Sequence, residues 1–108
     1  MVRVTGEVDM FTSPGLRDTL VLLFDKMVDA IVVDLSNVSF MDSSGIATLV
    51  EGLQWSRKND RQFILAGLGD TVLNALSLTK LDHVFTIQDN AARAFEAITR
   101  NPMKEDDL

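Results

Sequence analysis

The chain contains no cysteine and a single histidine, His83, among its 108 residues. Without cysteine it can form no disulfide and offers no thiolate, and the reducing cytoplasm is its natural compartment. One histidine is too few for a zinc site, so we expect no metal and no cofactor on this chain. Ten basic residues against sixteen acidic ones give a net charge of −6, which opposes binding to nucleic acid.

Long apolar runs are also absent. No stretch approaches the roughly 20 apolar residues of a membrane span, and the N-terminus has no charged segment before an apolar run. We therefore predict a soluble chain without membrane insertion. A hydrophobic content of 46% is enough for one core, so we predict a single domain over residues 1–101. Residues 102–108 are predicted to be a disordered acidic tail.

Segments typical of strands and helices alternate along the chain. Strands are predicted at residues 2–5, 30–35, 61–66 and 83–87. Ser13 is predicted to be the N-cap of the first helix, Asp42 or Ser43 that of the second and Asp89 that of the last, and the third helix is predicted from about Asp70 to Leu78. Such alternation is typical of an α/β fold with a mainly parallel sheet, whose helices can all lie on one face.

The segment Phe40–Ile46 joins the predicted central strand to an amphipathic helix through small hydroxyl residues. Asp42 or Ser43 can act as N-cap by accepting hydrogen bonds from the unpaired N–H groups of the first helical turn. The same N–H groups and the helix dipole would stabilise an anion. The serine is therefore either a structural cap or an acceptor of phosphate.

At roughly 100° per residue this helix buries one stripe of apolar side chains and turns another set of residues outward. The outward set is Ser44, Thr48, Glu51 and Trp55. An exposed tryptophan beside small polar groups is a candidate hot spot for protein binding. The alternative is that Trp55 packs against a neighbouring helix.

The residues needed for enzyme chemistry are missing. A serine hydrolase using Ser43 would need a base, and His83 is the only histidine, with no obvious acidic partner. Neither a Gly-x-Ser-x-Gly elbow nor a Gly-x-x-x-x-Gly-Lys loop is present. Asp9 and Asp42 are either a carboxylate pair or a loop acid and a helix cap. We predict that the chain is not an enzyme, and a small serine hydrolase stays an unfavoured alternative.

With Asp42-Ser43-Ser44-Gly45 after an apolar strand and Thr5–Asp9 ahead of a helix, the chain resembles the STAS family of sulfate-transporter and anti-sigma-factor-antagonist domains. The likeness is greatest to the free-standing bacterial anti-sigma factor antagonists. It implies a mixed, mostly parallel sheet of about four strands, with about four helices mainly on one face. It also implies that the first strand usual in the family is absent or shortened here, and an uncovered sheet edge would allow a homodimer.

The resemblance further implies a phosphorylatable switch. Ser43 would be the phosphoacceptor, surrounded by Asp9, Asp42, Ser44 and Gly45. The unphosphorylated chain would bind an anti-sigma factor that is itself a serine kinase carrying ATP and magnesium, and a phosphatase would reverse the modification. We expect the partner-binding residues to be Asp9, Met10, Phe11, Thr48, Glu51 and Trp55. The alternative is a STAS subunit of a larger assembly, such as a lipid-transport ATPase complex or a stress-signalling scaffold, without phosphorylation.

Overall fold

Strands and helices alternate through the part of the chain that the computed structural model describes, residues 1–26 and 28–99. The strands are β1 (Val2–Val8), β2 (Ala30–Met41), β3 (Gln62–Ala66) and β4 (Thr86–Gln88). The helices are α1 (Ser13–Asp25), α2 (Ser43–Lys58), α3 (Asp70–Leu78) and α4 (Ala91–Thr99). The predicted tail, 102–108, lies outside the described residues.

The strands form one sheet in the order β1-β2-β3-β4, and every neighbouring pair is parallel. The predicted four-stranded, mostly parallel sheet is therefore confirmed. Because all strands run the same way, the loops that follow them meet at one edge of the sheet, which we call the carboxyl edge. β1 is an outer strand and pairs only with β2 among the described residues.

The two faces of the sheet carry different helices. Ile31, Val33 and Leu35 of β2 point into the main core, which is closed by α1, α2 and α3. Val32 points to the other face, where it packs with Ile64 and the small residues of α4. Three of the four described helices thus share one face, which confirms the prediction that the helices pack mainly on one side.

Several predicted boundaries were wrong. β1 does not end before Gly6 but continues to Val8, because Gly6 takes a positive φ of 86° within the strand and pairing resumes beyond it. Ser13 is not the cap of α1, since Thr12 occupies the N-cap position. Asn90, not Asp89, caps α4, and its side-chain oxygen accepts a 2.8 Å hydrogen bond from the N–H of Arg93.

No helix in the described ranges is both long enough and apolar enough to cross a membrane. The longest, α2, has 16 residues and a buried stripe on one side only.

Candidate functional site

The loop after β1 and the start of α2 lie side by side at the carboxyl edge. Val8 and Met41 are paired at the ends of their strands, and the N–H of Asp42 donates a 3.0 Å hydrogen bond to the carbonyl oxygen of Val8. Asp9 follows directly on one strand and Ser43 follows on the other. The structure therefore brings together the two segments on which the predicted site depends.

Asp42 is the N-cap of α2. Its backbone is extended, and its Oδ1 accepts hydrogen bonds from the N–H groups of Ser44 at 2.8 Å and of Gly45 at 3.4 Å. Of the two candidate caps named from sequence, the aspartate takes the role. The serine hydroxyl is consequently not used for capping.

Ser43 is the first residue of α2, and it is exposed. Its hydroxyl has no hydrogen-bond partner among the residues that the structure describes. The next serine, Ser44, is half-buried, and its carbonyl oxygen accepts a 3.0 Å bond from the Thr48 hydroxyl. The two adjacent serines therefore differ in exposure, because Ser43 is exposed and Ser44 is half-buried.

Gly45 allows α2 to approach the ends of the strands. A Cβ at this position would lie 2.7 Å from both the Met41 side chain and the Val8 side chain. Any larger residue would push the first turn of α2 away from the sheet. Close packing thus explains the glycine in the predicted site. Gly45 also determines how close Ser43, two residues earlier in α2, lies to the carboxyl edge.

Asp9 organises the loop between β1 and α1. Its Oδ1 accepts hydrogen bonds from the N–H of Phe11 at 2.9 Å and from the N–H and hydroxyl of Thr12 at 3.1 and 3.2 Å. The Phe11 N–H contributes most to holding the pKa of this carboxyl below its ordinary value, although desolvation opposes the shift. Asp9 and Asp42 each accept hydrogen bonds from N–H groups of their own segment. Of the two alternatives, a carboxylate pair or a loop acid and a helix cap, the second is therefore the one that the structure shows.

The ordered loop presents apolar side chains to solvent. Phe11 is 84% exposed and Met10 is 64% exposed. Phe40, two residues before Asp42, is also exposed. Sequence reasoning did not propose Phe40 as a surface residue, but strand alternation could have found it, because Met41 is buried and its neighbour must point to the other face. Exposed apolar residues at one edge are typical of a protein-binding surface.

The predicted outward face of α2 is partly covered by α1. Thr48 is buried, so the prediction that its side chain points outward was wrong. Glu51 is exposed and forms a 3.1 Å ion pair with Arg17 of α1. The Trp55 ring stacks on Phe24 with centroids 4.0 Å apart and an interplanar angle of 11°. The alternative, packing against a neighbouring helix, is therefore the correct one for Trp55, which is half-buried.

A shallow cavity of about 220 Å³ separates the two helices where these residues lie. Trp55 is twelve positions beyond Ser43, or about 18 Å along the helix axis. A partner that touches both Phe11 and Trp55 must therefore cover most of the length of α2.

His83 lies away from this site. The last strand was predicted to begin at His83, but β4 begins at Thr86. His83 therefore precedes β4, at the edge where the parallel strands begin, whereas Ser43 follows β2 at the carboxyl edge. Its ring is 92% exposed, and its Nε2 lies 3.7 Å from Asp82. The only histidine of the chain is thus not placed to act as a base for Ser43.

The model of the family described as the STAS domain matches residues 1–94. The chain belongs to the STAS family. The anti-sigma-B factor antagonist of Staphylococcus aureus is 31% identical over 88 residues, which are 82% of each protein. The STAS fold assigned from the sequence motif is confirmed.

Solved structures of STAS proteins have the same fold as this chain. An anti-sigma factor antagonist from Mycobacterium paratuberculosis has a TM-score of 0.80 at 28% identity, covering 90% of this chain and 82% of that one. The Bacillus antagonist SpoIIAA in its unphosphorylated form has a TM-score of 0.78 at 21% identity, covering 91% and 85%, and at that identity it supports the fold alone. The site at the carboxyl edge therefore stands on a STAS fold shared with anti-sigma factor antagonists.

Proposed function

We propose that this STAS chain is an anti-sigma factor antagonist that works as a phosphorylatable protein-binding switch. Unphosphorylated, it binds an anti-sigma factor that is a serine kinase; phosphorylated on Ser43, it releases that partner. ATP and magnesium belong to the kinase, a phosphatase resets the switch, and the exchange takes place in the cytoplasm. The likeness to the anti-sigma-B factor antagonist of Staphylococcus aureus supports this class of function.

The observation that carries the proposal is the exposed Ser43 hydroxyl beside an ordered apolar loop. Asp42 satisfies the cap of α2, so the hydroxyl of Ser43 is available to a kinase. Phe11 and Met10 stand on the adjacent loop, which Asp9 holds in one conformation. A kinase that binds this loop would also contact the neighbouring Ser43.

The same geometry supports release after phosphorylation. A phosphate adds roughly 1.5 to 2 negative charges, and the positive end of the α2 dipole tolerates them within the fold. The carboxylate of Asp42 already takes the N–H groups of Ser44 and Gly45, so the phosphate would stay directed to solvent. An added dianion at the centre of a docking surface disrupts the contact, because it must be desolvated without a partner. The fold would survive while the interface fails.

The direct test is incubation with the cognate anti-sigma factor kinase, magnesium and ATP, followed by peptide mass spectrometry. We expect one phosphate, on Ser43, and none on Ser43→Ala. Ser44→Ala is the matched control, because it removes the neighbouring hydroxyl and should still be modified. Phosphate on Ser44, or unchanged modification of Ser43→Ala, would exclude the assignment.

Binding by titration calorimetry tests the switch itself. We expect the phosphorylated chain and Ser43→Asp to bind the kinase at least about tenfold more weakly than the unmodified chain, a loss of about 1.4 kcal/mol. Ser43→Asp should melt close to the unmodified chain, since the residue is exposed at a helix N-terminus. Equal affinity of all three forms would contradict the proposal.

A further inference from the structure

A cavity lies at the edge of the sheet where the strands begin, opposite to the carboxyl edge. β3 begins at Gln62, but its first residue paired with β4 is Ile64, which lies opposite Thr86. Gln62 and Phe63 therefore pair with β2 and have no partner on β4. The gap at this point opens into a cavity of about 360 Å³ between α2, the starts of β3 and β4, and α4, which we call the amino-edge cavity.

Apolar side chains form much of the wall of the amino-edge cavity. They include Leu53 of α2, Phe63 of β3 and Ala97 of α4. Leu53 and Phe63 are buried and belong to the main core, so this part of the wall is fixed by packing. A mostly apolar wall with a few polar groups is typical of a site for a small organic molecule.

Both charged residues in the lining of this cavity are arginines. Arg57 belongs to the last turn of α2, and its Nη2 donates a 3.2 Å hydrogen bond to the carbonyl oxygen of Val84, ahead of β4. Arg61 precedes β3, and its Nη1 lies 3.2 Å from Oδ1 of Asp29, whose side chain is 98% exposed. A solvated carboxylate neutralises its partner only weakly. The cavity is therefore positive on a chain whose net charge is −6, which favours an anionic ligand.

Two polar atoms of the lining residues are buried and have no hydrogen-bond partner among the residues that the structure describes. They are Nε of Arg61, which is a donor, and Oε1 of Gln62, which is an acceptor. The backbone beneath them is held in place, because the N–H of Arg61 donates a 2.7 Å bond to the carbonyl oxygen of Ser56. Since buried polar groups nearly always have a partner, these atoms point to a ligand that accepts a hydrogen bond from Arg61 and donates one to Gln62.

We propose that the amino-edge cavity binds a small organic carboxylate that carries a hydroxyl or N–H group on an apolar body. The carboxylate accepts hydrogen bonds from Nε and Nη2 of Arg61, since this planar fork matches two carboxylate oxygens and Nη1 already contacts Asp29. Gln62 accepts the hydroxyl or N–H, and the apolar body lies against Leu53 and Phe63. The volume of about 360 Å³ falls in the usual range of roughly 300 to 1,000 Å³ for ligand sites.

This site is separate from the proposed switch. Arg57 is fourteen positions beyond Ser43, or about 21 Å along the axis of α2. A ligand in the amino-edge cavity therefore leaves the carboxyl edge free for a kinase. The inference is independent of the phosphorylation switch, so the failure of either leaves the other standing.

Titration with phenyllactate, followed in proton–nitrogen correlation spectra, tests the site. This probe combines a carboxylate, a hydroxyl and an apolar ring. We expect a saturable shift of the Nε–H signal of Arg61, while the Nε–H signal of Arg17, which pairs with Glu51 outside the cavity, stays in place.

Three related probes each lack one part of phenyllactate. Lactate has no ring and phenylpropanediol has no carboxylate, so each should bind at least about tenfold more weakly. Phenylpropionate has no hydroxyl and should lose affinity by a smaller factor, since Gln62 then has no donor to accept from. No shift at Arg61 up to the solubility limit of phenyllactate, or equal affinity for the uncharged diol, would overturn the inference.

Substitutions locate the binding to this cavity. Arg61→Gln should weaken phenyllactate binding at least about tenfold, because it removes the charge and the Nε–H group. Arg17→Gln is the matched control, since it also removes an ion-paired arginine but lies outside the cavity, and it should bind as the unmodified chain does.

A second variant tests the cavity without changing its charge. Ala97→Leu fills the space from α4 and should block the probe even if Arg61→Gln folds poorly. Ala92→Leu, at an exposed position of the same helix, is its control and should bind normally. Unchanged affinity of Ala97→Leu or of folded Arg61→Gln, or an equal loss in the two controls, would show that the probe does not bind in this cavity.

Discussion

The N–H of Asp42 donates a 3.0 Å hydrogen bond to the carbonyl oxygen of Val8 and so joins the ends of two parallel strands. Just beyond these ends stand the side chains on which the proposed function depends, Asp9 with its apolar loop and the exposed Ser43. The switch site is therefore built on the sheet, not on a free loop. Its parts keep their spacing because the strands below them are paired.

Gly45→Ala should destabilise the protein. The new Cβ would lie 2.7 Å from atoms of Met41 and Val8, and relieving that overlap costs about 1 to 3 kcal/mol. Urea unfolding measures the loss. Gly15→Ala is the matched control, since it is also the third residue of a helix but meets no atom within 4 Å. It should raise the free energy of unfolding by up to about 1 kcal/mol. Equal effects at the two positions would refute the packing role of Gly45.

Asp42→Ala should lower the free energy of unfolding by about 1 kcal/mol, because the N–H groups of Ser44 and Gly45 lose their acceptor. Asp42→Asn keeps a side-chain oxygen and should unfold close to the unmodified protein. Ser43→Ala removes an exposed hydroxyl and should be neutral. If Ser43→Ala costs as much as Asp42→Ala, the serine is a structural cap and the division of roles is wrong.

Phe11→Ala should weaken binding to the kinase by about 2 kcal/mol without changing the melting temperature. Phe11 is 84% exposed, so its removal leaves the core intact, and a large aromatic side chain is a typical binding hot spot. Leu78→Ala is a control of equal exposure, 84%, at the end of α3 away from the carboxyl edge. Calorimetric titration should show a loss for the first variant only. A similar loss for both would point to a different docking surface.

Acid should weaken the contribution of Asp34 to folding. The Ser36 hydroxyl, with the Ser36 N–H and Arg3, holds the pKa of this carboxyl below its ordinary value of 3.8, although desolvation opposes the shift. A lowered pKa means that the stabilisation is complete above 3.8 and is lost as pH falls through the folded-state value. The difference in unfolding free energy between the unmodified protein and Asp34→Asn should therefore shrink below pH 3.8. A constant difference would show that ionisation of Asp34 does not contribute.

The local pattern of apolar residues was sufficient to predict many of the strands and helices. The helix Asp70–Leu78 has the predicted bounds, because the apolar spacing that predicts it is a local feature. The central strand was predicted to end at Leu35 but continues to Met41. Beyond Leu35 the run of consecutive apolar residues ends, and polar and apolar side chains are mixed from Ser36 to Met41. Those residues are extended because β1 pairs with them, which a hydrophobic run does not indicate.

The candidate site, too, was predicted only in part from the sequence. The motif Asp42-Ser43-Ser44-Gly45 was sufficient to place the site at the start of a helix and to name its family. It could not distinguish which of Asp42 and Ser43 caps the helix, since both are ordinary cap residues. Helical periodicity placed Trp55 opposite the buried stripe, but it says nothing of α1, whose Phe24 covers that ring.

Apolar spacing and helix caps act between residues close in the chain, so they were sufficient to predict the order of strands and helices, the parallel sheet and the segment that holds the candidate phosphoacceptor. The burial of Thr48 and the outward position of Phe11 and Met10, on the loop that Asp9 holds, are visible only in the folded protein. These features depend on which elements pack together, and packing between distant segments is set by the whole core, not by any local pattern.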